Sequence, residues 1–175
     1  MRRLFIALAF IVALILQTTI LPFLRIGGVM PDLLLVLVIF TALFYGSLAG
    51  GVVGFVVGLT QDLIGGPDLG LGVLSIFLAG YLMGHLGRRV NKDHLLAIFF
   101  LVLVGSFLAS AVYLLGQGLL DVASLNIRLF WRVAAIGALY NACLAVLLFN
   151  PLTRLFGGSV QSRVEIVQPG KMIYR

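Results

Sequence analysis

Charge is what this sequence has least of. Only 10% of its 175 residues are Asp, Glu, Lys or Arg, where about a quarter is usual in a soluble domain. Eighteen charges cannot cover the surface of a soluble fold of this size. There is one cysteine, Cys143, which excludes an intramolecular disulfide and a cysteine-based zinc cluster. Inside its apolar run it reads as a small buried hydrophobe. Acidic residues number six and tryptophan one. No polar stretch outruns the nineteen residues from Gly157 to Arg175, too short for a folded catalytic domain.

What is present is apolar. Hydrophobic residues make up 62% with the 21 glycines left out, against about half with glycine counted in ordinary domains. Such a composition excludes a disordered chain, and runs of transmembrane length make this an integral membrane protein. The net charge of +6 does not point to nucleic acid. The basic residues sit between apolar runs, where they orient helices in a bilayer.

The first run, Leu4–Leu24, follows Arg2 and Arg3. It looks like a signal peptide but is long and lacks a small-x-small cleavage site, so it is read as a retained helix. The uncharged stretch Leu33–Gln61 covers 29 residues. As one helix it would be about 43 Å long, against a hydrocarbon core of about 30 Å. A break at Gly46–Gly51 divides it into two compact helices, Pro31–Tyr45 and Ala49–Ile64. Further helices are expected over Leu69–Leu86, Leu95–Leu119 and Trp131–Leu155. Trp131 suits an interfacial anchor, and Pro151 is expected to kink or end the last helix.

The expected fold is therefore an all-α bundle of six transmembrane helices with both termini cytoplasmic. Residues 1–156 would form one transmembrane domain and 157–175 a polar cytoplasmic tail. Nine basic residues then lie inside, among them Arg2, Arg3, Arg88, Arg89 and Lys92. Three lie outside, Arg25, Arg128 and Arg132, as the positive-inside rule wants. A five-helix arrangement scores eight to four, so helix length decides.

Three sets of residues stand out. Gly46, Gly50, Gly54 and Gly58 are spaced by four, and Gly80 and Gly84 repeat the pattern. Residues four apart share a helix face, and a glycine face lets backbones approach closely. Packing within the chain and docking of a partner's transmembrane helix are both compatible with it. Pro31-Asp32-Leu33 recurs as Pro67-Asp68-Leu69, each suited to opening and capping a helix. The second set, Gln17, Asp32, Gln61, Asp62 and Gln117, falls toward the outer leaflet and reads as a polar vestibule. A carboxylate deep in the bilayer costs on the order of 3 kcal/mol. Asp62 is accordingly expected to pair with Arg25, Arg128 or Arg132. An aspartyl dyad of Asp32 and Asp62 lacks the motif of an intramembrane protease, and His85 and His94 lack a third metal ligand. No catalytic residue, cofactor or metal site is expected. The third set, Arg88, Arg89 and Lys92, forms a cytoplasmic basic cluster that sets topology and can meet anionic lipid.

In combination the chain resembles the bacterial rod shape-determining protein MreD family. The likeness lies in Leu16-Gln17-Thr18-Thr19-Ile20-Leu21-Pro22, Pro31-Asp32-Leu33 and Gly46-Ser47-Leu48-Ala49-Gly50-Gly51. It continues through Gly54-Phe55, Gly58-Leu59, Asp62-Leu63, Gly70 and Gly80-Tyr81-Leu82-Met83-Gly84. It covers roughly Leu4 to Leu155; the tail shows no pattern of the family. The resemblance implies a non-enzymatic scaffold of cell-wall elongation in the bacterial inner membrane. Its partners would be an MreC-like single-span protein and the elongation complex of MreB, RodZ, RodA and a penicillin-binding protein. A homo-oligomer is also compatible. The family is distantly similar to S-components of energy-coupling-factor transporters, six-helix proteins with an outward-facing pocket. The alternative function is accordingly the substrate-binding subunit of a vitamin-type transporter.

Overall fold

A computed structural model describes residues 2–25, 28–65, 70–90, 94–120 and 127–164, with the side chains of 2, 3, 89, 120, 127–130 and 157–164 outside the description. Every regular element among the described residues is helical. They are α1 (Arg2–Thr19), α2 (Leu33–Tyr45), α3 (Ser47–Gly65), α4 (Leu71–Leu86), α5 (Leu95–Leu120), α6 (Ile127–Leu147) and α7 (Phe149–Val164). Short 3-10 turns follow α1 and α4, over Leu21–Leu24 and Gly87–Arg89.

The core is α2. Every residue from Leu33 to Leu43 is buried, and α1, α3, α4, α5, α6 and α7 all touch it. A helix that is apolar all round has no face to give to water, so it belongs at the centre of a bundle. Its start is capped by Asp32, whose carboxylate accepts from the Leu35 amide at 2.9 Å. Its end is set by Gly46, whose φ of +95° reverses the chain where a side chain would be strained. The single uncharged stretch thus becomes two helices, as its length required.

The expected sixth helix is corrected to two. The chain bends by 71° between Trp131–Leu147 and Phe149–Phe156. Pro151 has no amide to give the Leu147 carbonyl, and its ring crowds that oxygen, so α6 cannot continue through Leu148. As third residue of α7, Pro151 sits where a first helical turn tolerates it. α7 then runs to Val164, well past the expected end at Leu155. It is held by Phe156, fully buried, with its ring centroid 6.2 Å from Phe40 and 6.3 Å from Phe44.

The exterior is apolar too. Leu48, Val52, Phe55 and Leu63 on α3 and Leu4 and Leu8 on α1 are exposed, as a bilayer requires and water penalises. α3 and α5 have the length and hydropathy to cross a membrane, and α6 with α7 makes a third such span if the bent pair is taken together. α1, α2 and α4 are shorter apolar helices; at 1.5 Å per residue the thirteen residues of α2 reach about 20 Å. Cys143 corrects the reading of a buried cysteine: it is exposed on the apolar exterior of α6.

Candidate functional site

The glycine row of α3 is filled from within the chain. α3 and α4 are the most extensively packed helix pair. A Cβ on Gly54 would lie 2.6 Å from the Ile76 carbonyl oxygen, and one on Gly58 2.6 Å from Val73 Cα. One on Gly50 would lie 2.6 Å from the Gly80 carbonyl oxygen. Gly84 approaches the Ser47 backbone in the same way. At these positions any side chain larger than hydrogen meets backbone, so α3 and α4 approach closely enough for main-chain van der Waals contact. Gly46 differs: a Cβ there meets nothing within 4 Å, and its role is the turn before α3.

Where α1 and α3 end and α2 and α4 begin, the polar residues converge. Asp32 is the hub. Its Oδ1 accepts from Gln17 Nε2 at 3.1 Å and from Gln61 Nε2 at 3.1 Å, besides the Leu35 amide. Gln17 returns a bond by accepting from the Leu34 amide at 3.1 Å. Asn141 on α6 accepts from the Asp32 amide at 2.7 Å and donates to Ser106 Oγ on α5 at 3.2 Å. Asp32 thus ties α1, α2, α3 and α6 together, and Asn141 extends the network to α5. Each partner is a neutral amide or hydroxyl, and their hydrogen bonds offset the cost of taking these groups out of water.

Asp62 does something else than expected. Its Oδ2 accepts from the Gly70 amide at 2.7 Å and the Val73 amide at 3.1 Å. It is thus a capping acceptor for α4, delivered from α3, and complements the positive end of that helix. The described bonds of Asp62 therefore go to backbone amides rather than to Arg25 or Arg132. Arg25 instead points its guanidinium at the Met30 sulfur, 4.0 Å away, and the Arg128 side chain lies outside the described residues. Pro67-Asp68-Leu69, expected to cap α4, also lies outside them.

Gln17, Asp32, Gln61 and Asp62 line one cavity of about 710 Å³, which all of α1–α6 help to enclose. Gln117 does not line it. Asn141, which the sequence places deeper in the membrane than the vestibule set, lines it too, as do Ser110 and Tyr113, which reasoning from sequence missed. The signal for Asn141 was a lone Asn inside the apolar run Ala138–Val146. Most of the wall is apolar, from side chains such as Leu14, Leu35, Ile76 and Leu114. Asp32 and Asp62 are each committed to a helix start, so the pair is not arranged as a shared-proton dyad.

At the opposite end of the bundle Arg88 donates to Ser47 Oγ at 3.2 Å. It thereby ties the turn after α4 to the first residue of α3. Lys92 and the Arg89 side chain lie outside the described residues, so of the basic cluster only Arg88 has a described contact. Among the described residues no three His, Cys, Asp or Glu gather as metal ligands.

No curated protein and no solved structure matches the chain. The family model of rod shape-determining protein MreD matches residues 1–157, which spans α1 through the first half of α7 and takes in both the glycine contact and the Asp32 hub. The chain is a membrane protein of the MreD family, involved in determining rod shape.

Proposed function

We propose that this protein is a non-catalytic, multi-pass scaffold of the bacterial inner membrane that holds the membrane span of an MreC-like partner within the cell-wall elongation machinery. MreB, RodZ, RodA and a penicillin-binding protein complete that assembly. The observation that carries the reading is the family match over residues 1–157. It falls on a chain made almost wholly of apolar helices. A protein so built meets its partners mainly inside the bilayer. In this reading all six apolar segments cross or line the membrane with both termini cytoplasmic, and the Asp32 hub faces outward.

The glycine row enters the mechanism indirectly. Gly50, Gly54 and Gly58 face α4, so their part is to fix the surface that a partner meets. The docking contact itself falls on other, lipid-exposed faces. Co-expression with the MreC-like protein of the same cells tests this. A complex that stays together through detergent extraction and gel filtration supports the scaffold, and separate elution of two folded proteins contradicts it. The cavity is the one observation favouring the rival, a small-molecule binding subunit of a transporter. That rival requires an ATPase module in place of the MreC-like protein.

A further inference from the structure

The wall of the cavity beside the Asp32 hub is mostly hydrocarbon, supplied from five helices by residues such as Leu14, Leu34, Ile76, Leu114 and Val133. The polar side chains that reach it are engaged within the protein. Gln17 and Gln61 donate to Asp32, Asn141 accepts from the Asp32 amide, and Asp62 holds the start of α4. Ser75 Oγ donates to the Gly72 carbonyl at 3.0 Å. Water in this space would meet carbon over most of its surface, with few of the polar partners that hold a buried water.

Small residues keep the space open: Ser75 on α4, Ser110 on α5 and Gly137 on α6. Gly137 differs from Gly54 and Gly58, which admit a neighbouring backbone. The described atom nearest a Cβ on Gly137 is the tip of a side chain, Val29 Cγ1 at 3.4 Å. Glycine inside a helix is disfavoured relative to alanine, so what it contributes here is room. At the rim, Met30 and Ile64 line the cavity and are 39% and 58% exposed. The space is thus continuous with the apolar exterior. Left empty, its walls would forgo their dispersion contacts.

We propose that this cavity is a binding site for a hydrocarbon chain, the tail of a membrane lipid. The volume of about 710 Å³ lies within the range of small-molecule pockets, roughly 300–1,000 Å³. The tail enters past Met30 and Ile64, lies against Leu14, Ile76 and Leu114, and fills the place beside Gly137 where α6 carries no side chain. The bilayer supplies it at high concentration. The site needs a membrane and no cell-wall partner, so it stands or falls separately from the scaffold.

The test uses the full chain in nanodiscs of phosphatidylcholine brominated on its acyl chains, with acrylamide as the quencher carried by water. Tyr113 lines the cavity, and Tyr113→Trp combined with Trp131→Phe leaves a single fluorescent reporter there. Gly137→Leu and Ser110→Leu fill the cavity from two different helices. The parent Trp131, exposed on α6, reports whether each filled variant is folded and inserted. The expected result is strong quenching of the cavity reporter by bromine and weak quenching by acrylamide. Each filling substitution at least halves the bromine quenching, while quenching of Trp131 stays as in the parent. Strong acrylamide quenching with little from bromine would mean that water fills the space, and overturns the proposal. Bromine quenching unchanged in a filled variant whose Trp131 behaves as in the parent places the lipid on the outer surface, and overturns it too.

Discussion

Gly50 and Gly80 touch through their backbones: a methyl group on Gly50 would fall 2.6 Å from the Gly80 carbonyl oxygen. The obstacle is main chain on a helix, which cannot move aside as a flexible side chain would. Gly54 against Ile76 and Gly58 against Val73 extend the same contact along α3 and α4. Gly50→Ala and Gly54→Ala are therefore expected to destabilise the protein by about 1–3 kcal/mol each, the usual cost of overpacking. Gly65→Ala, at the open end of α3 with nothing within 4 Å, is expected to stay within about 0.5 kcal/mol. Thermal unfolding of the detergent-solubilised variants checks the ordering. Equal melting temperatures for all three would remove the close contact from the account.

Asp32 joins α1, α2, α3 and α6 through hydrogen bonds to Gln17, Gln61 and Asn141. Asp32→Ala strands the half-buried amide donors of both glutamines. Its expected cost is about 1–3 kcal/mol, the penalty for leaving such a group unsatisfied. Asp32→Asn retains an acceptor for the Leu35 amide and is expected to lose less. A double-mutant cycle of Asp32→Ala with Gln61→Leu gives the coupling directly. Additive effects would mean that the two side chains do not act as one unit.

Asp62 caps α4 from α3. Asp62→Ala is expected to cost about 0.5–2 kcal/mol, as loss of a helix cap does, and Asp62→Asn less. Exchanging Asp62 with Arg25 or with Arg132 is expected not to restore stability, because the partners of the carboxylate are backbone amides. Recovery in either exchange, read by melting temperature, would return the ion pair to consideration.

Phe156 anchors α7 to the core by its rings against Phe40, Phe44 and Tyr45. Truncation of a fully buried aromatic costs about 3–5 kcal/mol. Phe156→Ala is expected to lose that and to expose α7 to proteolysis before the rest of the chain. Limited proteolysis with mass spectrometry of the fragments reads this. Cleavage rates in α7 unchanged from the parent protein would show that the aromatic cluster does not hold it.

Helix existence was legible in the sequence because it follows from hydropathy and length. The 29-residue stretch had to break, and Gly46, free of the Cβ penalty at positive φ, was the place. Pro151 announced the bend because its missing amide leaves the Leu147 carbonyl unpaired. The spacing of Gly50, Gly54 and Gly58 showed a groove but not its occupant, since one helix face carries no information about which neighbour meets it. Long-range pairings were not legible at all. Asn141 lies 109 residues from Asp32 in the chain, and only the packing of α6 against α2 brings them together. The carboxylate of Asp62 looked like half of an ion pair because composition counts charges, whereas the fold presented it with two backbone amides. The continuation of α7 to Val164 was hidden by Gly157 and Gly158, poor helix formers that the helix nonetheless includes.

The central claim, a scaffold that works through partners in the membrane, is tested most directly by solubilising the protein from its own cells in mild detergent. Mass spectrometry then identifies what accompanies it. The account predicts recovery of an MreC-like single-span protein together with the cell-wall synthases. Recovery of an ATPase module with neither of these would contradict it.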